Sequence, residues 1–176
     1  MPISLYNLSV ISYLQTLGAM HGFLGRGSAH FEATGSDPDS VLDERLYGDM
    51  EPFKFQVWNS VHSSLGALNG LKAGVFGPPP PSPAGMDYAG LQKVVSNALQ
   101  ELQQFKADEI DALQGKDVRY ELPSRNIVLP FTAEGFVLSF SLPNFYFHAT
   151  TAYDILRHKG VPLGKRDFLG KMLLKS

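Results

Sequence analysis

Three polar side chains lie along one face of a helix that the sequence predicts at Leu142–Gly160. Asn144, His148 and Thr151 are spaced at i, i+4 and i+7, and such positions share a helix face. A neutral histidine can act as a general base or hydrogen-bond a ligand, while an amide and a hydroxyl can orient a bound molecule. Because a buried polar group without a partner costs about 1–3 kcal/mol, this polar streak is either a satisfied structural network or a binding site.

Other kinds of reactive centre are absent from the sequence, which leaves His148 as the candidate catalytic residue. The chain has no cysteine, and this excludes disulfides, thiolate nucleophiles and zinc held by cysteine. No two histidines stand four residues apart, and the sequence contains neither a nucleophile elbow nor a phosphate-binding glycine loop. We therefore predict no cofactor.

Composition predicts one globular domain over residues 1–176. Hydrophobic residues make up 44% of the chain and charged residues 18%, an ordinary balance for a folded domain. The net charge is −2, with acidic and basic residues interspersed, whereas a nucleic-acid surface requires clustered Lys and Arg. The start of the chain does not resemble a signal peptide, and no apolar run reaches the roughly 20 residues that span a bilayer. We therefore expect a cytoplasmic protein that binds neither nucleic acid nor membrane.

Apolar residues at spacings of three and four predict four long amphipathic helices, at roughly 4–33, 52–73, 87–106 and 132–158. Thr132 is suited to cap the last helix. Pro143 should kink that helix, because proline removes a backbone donor. A shorter helix is expected at 40–46.

The connections between the helices carry their own patterns. Alternating apolar and polar residues predict two short strands near 117–122 and 126–131, joined by a turn. The proline-rich segment Gly77–Gly85 favours an extended, stiff crossover loop, with a ligand for a proline-reading domain as the alternative. Together these features predict an all-α protein, a four-helix bundle with a small β-hairpin before its last helix.

Three stretches resemble the landmarks of a known family. LPNFYFHATTAYDILRHKGVPLGKRDFLG is similar to the signature of an uncharacterised domain-of-unknown-function family within the DinB-like superfamily, and ISLYNLSV and RLYGDMEPFKFQV resemble its two earlier landmarks. The resemblance covers nearly the whole chain in matching order. It implies an up-down four-helix bundle. Many members of that superfamily hold a divalent metal with three histidines, and some transfer low-molecular-weight thiols.

The resemblance places the three metal-ligand positions of the superfamily on Gln56, Asn144 and His148. Only the last of these is a histidine, and amide oxygens bind first-row metals weakly. We therefore predict a degenerate metal site that holds no metal. Gln56 and Asn144 are then either core amides that fix the helix register or hydrogen-bonding groups of a pocket.

The sequence leaves three functions open. In the first, the protein binds a small apolar ligand in the bundle core. In the second, it is a metal-independent enzyme that uses His148 as general base on a hydrophobic small molecule. In the third, it is a structural or regulatory homodimer without a ligand. We favour the first, and we expect a homodimer in solution. The residues expected at the ligand are Tyr13, Gln56, Asn144, His148 and Thr151. Of these, Tyr13 faces the core from the first helix and either only packs or also hydrogen-bonds into the polar streak.

Overall fold

The protein is mostly helical and carries one small sheet in the computed structural model, which describes residues 3–175. The helices are α1 Ser12–Ala33, α2 Phe53–Val61, α3 Ala67–Ala73, α4 Tyr88–Leu102, α5 Ala107–Asp111, α6 Ala133–Phe136, α7 Leu142–His158 and α8 Lys165–Leu169. The strands are β1 Val75–Phe76, β2 Asp117–Leu122 and β3 Ile127–Thr132. Within the described part of the chain, every helix is too short or too polar to cross a bilayer.

Among residues 3–175, three five-residue π-helical segments, which the sequence pattern did not predict, extend or join these helices. Asn7–Ile11 leads into α1, His62–Gly66 joins α2 to α3, and Val137–Ser141 joins α6 to α7. The last of them ends two residues before Pro143, whose missing N–H interrupts the regular helical ladder. Apolar periodicity detects a buried face but not one extra residue in a turn, so the first two of these segments were predicted as regular helix, whereas the helix predicted at 132–158 was expected to kink at Pro143.

Hydrogen bonds explain where one predicted helix begins and why another does not form. Thr132 accepts a hydrogen bond from the Gly135 amide, as expected of the cap of the last helix. The helix expected at 40–46 is wrong, because the chain forms only a 3₁₀ turn at Pro38–Val41. The carbonyl groups that would continue this helix instead accept hydrogen bonds from the first amides of α2: Leu42 from Lys54 and Glu44 from Phe53.

The third predicted helix is also shorter than expected. It ends at Leu102 rather than near 106, and α5 follows after a turn. The side chain of Asp87 caps its start by accepting from the Gly90 amide.

The sheet has three strands, so the fold is not purely helical. Strands β2 and β3 pair antiparallel from Asp117↔Thr132 to Leu122↔Ile127. Strand β1 pairs parallel with β2; at two residues it is too short to show the alternation by which a strand is recognised in sequence. The sheet brings Phe76 and Tyr120 against the π-helical segment that precedes α7, where both rings approach Phe140.

Large apolar side chains fill the space between the helices. Helix α2 packs along α7, and α1 packs on α4 and α7. The rings of Tyr13 and Phe145 meet edge-on at 5.3 Å, and those of Phe53 and Tyr88 stack at 5.9 Å. These four side chains are buried, and such burial is the main stabilising contribution to a fold of this size.

Candidate functional site

A histidine held between two amides lies where α7 packs against α2. The Nδ1 atom of His148 lies 2.7 Å from Gln56 Oε1, and its Nε2 atom lies 2.5 Å from Asn59 Nδ2. Gln56 and Asn59 are three residues apart on α2, so both amides face α7 from neighbouring turns. All three residues are buried, with only 8% of His148 exposed. We call this arrangement the amide–histidine network.

The hydrogen bonds of this network run in one direction. Gln56 Nε2 donates to the backbone carbonyl of Glu51 at 2.8 Å, and a carbonyl oxygen can only accept. Gln56 therefore presents its oxygen to His148, whose Nδ1 carries the proton and donates. The Nε2 atom is then the acceptor of the neutral ring and receives the N–H of Asn59.

Electrostatics favour the same neutral form of the ring. Burial lowers the pKa of His148 from 6.5 to about 4, because the charged imidazolium loses hydration. At neutral pH both ring nitrogens are therefore occupied, one as donor and one as acceptor. A general base needs a free nitrogen and a pKa near the working pH, and His148 has neither in this arrangement.

The remaining predicted residues do not join the network. Thr151 donates to the Phe147 carbonyl at 2.7 Å, and Asn144 donates to the Phe140 carbonyl at 2.8 Å. Both bonds run back four residues along the same helix, a local alternative that short polar side chains commonly take. The polar streak thus shares one face, but only its histidine reaches across to α2.

Tyr13 belongs to a different buried network. Its hydroxyl lies 2.6 Å from Ser141 Oγ, which in turn donates to the backbone carbonyl of Ser63 at 2.7 Å. Burial raises the pKa of Tyr13, so its phenol stays protonated. Ser63 and Ser141 both lie within π-helical segments, and these hydrogen bonds therefore link the first helix to the two irregular helices.

Sequence reasoning missed Asn59, although a signal for it exists. Asn59 stands three residues after Gln56 on α2, so it shares the inward face of that helix. No comparable signal marks Ser63 or Ser141, since isolated serines occur throughout the chain.

A small cleft opens beside the network. It has a volume of about 80 Å³, and Asn59 forms part of its wall. The other polar lining side chains are Asn144 from α7 and His62 and Ser63 from the π-helical segment His62–Gly66. The aromatic lining side chains are Phe76 and Tyr120 from the sheet and Phe140 from the π-helical segment Val137–Ser141. We call it the amide cleft. Asn59 and Asn144 both line this cleft, although they share no hydrogen-bond partner.

The start of the proline-rich loop, Gly77–Pro79, forms part of the wall of the amide cleft. His62 Nε2 lies 2.8 Å from the Gly77 carbonyl, and the His62 ring stacks on Phe76 at 4.5 Å. Trp58 Nε1 donates to the Pro80 carbonyl at 2.8 Å. Beyond His62 lies a second, more apolar cleft of about 190 Å³, walled by Trp58 and Pro80 and named here the outer cleft. The loop is thus tied to α2 and its continuation and contributes to the walls of both clefts.

The side chains at this site do not fit a tightly bound transition metal. Within residues 3–175, no group of three or more His, Cys, Asp or Glu side chains is placed to hold a metal ion. The groups nearest His148 are the amides of Gln56 and Asn59, and the ring nitrogens are occupied by them. Zinc and nickel prefer imidazole, thiolate and carboxylate ligands, so the side chains present differ from the three-histidine set that the resemblance implied.

Comparison with known proteins places the whole helical region in one family. The family model described as a domain of unknown function, DUF1993, matches residues 5–169. This chain belongs to the DUF1993 family. The family predicted from the carboxy-terminal motif is therefore confirmed, and the matched range contains α2 and α7, the two helices that form the amide–histidine network.

A solved structure supports the relation of this DUF1993 chain to DinB proteins. The crystal structure of a DinB family member protein from Shewanella denitrificans is 28% identical in sequence, with a TM-score of 0.79. The alignment covers 98% of this chain and 95% of that one. No curated protein matches the chain.

Proposed function

We propose that this DUF1993 protein binds a small apolar molecule without a metal, in the amide cleft between the second and last helices of an up-down four-helix bundle. One observation carries the proposal: Asn59 both completes the hydrogen bonding of His148 and lines the cleft. A buried histidine needs only two partners. Here the second partner is a side chain that also faces open space, so the network connects the helix core to a surface that a ligand can reach.

The lining of the amide cleft is typical of small-molecule sites. Such sites combine apolar and aromatic walls with a few placed polar groups, and here Phe76, Tyr120 and Phe140 accompany two asparagines. A closed apolar cavity of roughly 150 Å³ holds benzene. The amide cleft, at about 80 Å³, has room for the polar edge of one ring while the remainder extends toward the surface.

In this proposal His148 positions Asn59 and does not perform catalysis. Gln56 fixes the histidine in turn, through the Glu51 carbonyl. Of the residues predicted at the ligand, Asn144 lines the cleft, whereas Tyr13 and Thr151 are assigned structural roles. The alternative of a metal-independent enzyme requires His148 to release Asn59 and accept a proton at a pKa of about 4, which makes binding the better-supported function.

Thermal unfolding with a panel of one-ring aromatic compounds tests the proposal. A ligand at one hundred times its Kd stabilises the folded state by about 2.7 kcal/mol, which raises Tm by roughly 5–10 °C in a chain of this length. The variant Tyr120→Ser removes one wall of the amide cleft and should abolish the shift. Tyr47→Ser is the matched control, because Tyr47 is 73% exposed and lines neither cleft. Equal shifts in both variants, or none in the wild type, contradict the proposal.

Self-association is a second proposal, favoured by the surface of the last helix. Leu138, in the π-helical segment before α7, and Tyr146 and Phe147, on α7, are 52%, 39% and 56% exposed, and a large contiguous exposed apolar patch marks an interface. We expect a homodimer in sedimentation experiments that Phe147→Ser converts to a monomer. A monomeric wild type at micromolar concentration contradicts it.

A further inference from the structure

We infer that the ligand of the amide cleft carries a neutral hydrogen-bond donor on an aromatic ring, a phenolic hydroxyl or an aryl N–H, and that a carboxylate is disfavoured there. The inference rests on the proposed function and names the chemical class that the site accepts. Three observations support it: the direction of the amide–histidine network, the two amide oxygens left at the cleft, and the absence of charge in its lining.

The direction of the network determines which atom of Asn59 is left without a partner. The Glu51 carbonyl orients Gln56, Gln56 Oε1 requires a proton on His148 Nδ1, and His148 Nε2 therefore accepts from Asn59 Nδ2. Asn59 Nδ2 uses one of its two N–H groups on the histidine, whereas Oδ1 is the atom of this amide that has no hydrogen-bond partner among residues 3–175. An amide oxygen is an acceptor only.

The oxygen of Asn59 is accessible. It makes no hydrogen bond to any residue between 3 and 175, whereas every fully buried polar side-chain atom of those residues has a partner. Because Asn59 lines the amide cleft, this oxygen is available to a donor that enters the cleft. Asn144 repeats the arrangement: its Nδ2 donates to the Phe140 carbonyl, and its Oδ1 is left over.

Two acceptor oxygens select between ligand classes. A phenol or an aryl amine donates to them, whereas an aromatic carboxylate brings further acceptors and a negative charge against carbonyl oxygens. No charged side chain of the described residues lines the cleft, so an ammonium ligand also lacks a counter-ion there. Burying an uncompensated charge is costly. A neutral donor beside aromatic rings is the class that pairs with both unpartnered oxygens without burying a charge.

Calorimetric titration of the wild-type protein with phenol, anisole and benzoate tests the inference. The three probes share one ring and differ in the polar group: a donor, a methylated oxygen and an anion. We expect phenol to bind at least about tenfold more tightly than either of the others, equivalent to about 1.4 kcal/mol. Anisole or benzoate binding as tightly as phenol overturns the inference and leaves the proposed function standing. Absence of binding by all three overturns both.

A variant and a spectroscopic measurement identify the atoms involved. Asn59→Leu keeps a similar side-chain shape and should lower phenol affinity to the level of anisole, whereas Asn69→Leu, in the outer cleft alone, should leave it unchanged. If Asn59→Leu fails to fold, ¹⁵N NMR of wild-type His148 tests the same network. A proton on Nδ1 supports the inference, and a neutral ring protonated on Nε2 overturns it.

Discussion

Replacing His148 with leucine tests whether the amide–histidine network holds α2 and α7 together. His148→Leu keeps a branched side chain of moderate size and removes both ring nitrogens. Gln56 is 1% exposed, so its Oε1 atom is left buried without a partner, at a cost of about 1–3 kcal/mol. Asn59 borders the amide cleft, where water can replace the histidine at little cost. With the lost hydrogen bonds themselves, we expect a loss of about 2–4 kcal/mol in the free energy of unfolding.

Urea and thermal unfolding measure this loss. In a chain of this length 1 kcal/mol corresponds to about 2–4 °C in Tm, so Tm should fall by roughly 4–16 °C. A double-mutant cycle with Gln56→Leu isolates the interaction. Because the double variant leaves no unpaired amide oxygen at position 56, its loss should be smaller than the sum of the single losses by about 1–2 kcal/mol.

Thr151→Val is the matched control, since Thr151 lies on the same helix face and its hydroxyl bonds only to the Phe147 carbonyl of its own helix. We expect it to change the unfolding free energy by less than about 1 kcal/mol. If His148→Leu costs no more than Thr151→Val, and its effect adds to that of Gln56→Leu, then the network does not hold the two helices together and the reasoning is refuted.

Three further outcomes are expected. Burial holds the pKa of folded His148 at about 4, below its unfolded value of 6.5, so the unfolded state binds more protons between these two pH values. The contribution of His148 to the free energy of unfolding should therefore be complete above about pH 6.5 and fall by up to about 3 kcal/mol toward pH 4. Urea unfolding of His148→Leu should lack this pH dependence. Tyr13→Phe removes the hydroxyl partner of Ser141, which keeps its bond to the Ser63 carbonyl, so a loss near 1 kcal/mol is expected in chemical unfolding, and a loss above 3 kcal/mol would contradict this account. Elemental analysis of protein purified without chelator or affinity tag should find well under one zinc or nickel per chain, because the site offers a single imidazole whose nitrogens are occupied; a stoichiometric metal would show that the network rearranges.

Sequence alone was sufficient for features that depend on neighbouring residues along the chain. Apolar spacing located the long helices, because an amphipathic helix must repeat its buried side chains every three to four residues. Thr132 was recognised as a cap from its place before the last helix, and the cap is present. The motif LPNFYFHATTAYDILRHKG, with its companions, identified the family that the comparison confirms.

Only the tertiary structure decided how the polar groups pair. Periodicity places Asn144, His148 and Thr151 on one face, but it does not say which residue of another helix stands at the same height. That depends on the axial register of α2 against α7, and it brings Gln56 and Asn59 to His148. The other two polar groups instead bond to their own helix, because a backbone carbonyl four residues back is always within reach of a short side chain.

The cleft is likewise a product of tertiary structure. Its walls come from α2 and its π-helical continuation, the sheet, the proline-rich loop and the last helix, segments far apart in sequence. Strand β1 is two residues long, and the hydrogen bonds from Trp58 and His62 that hold the loop join residues 22 and 15 positions apart. Sequence determined that α7 has a polar face; the packing of distant segments determined that Asn59 and Asn144 line a common space, because such contacts leave no local periodicity.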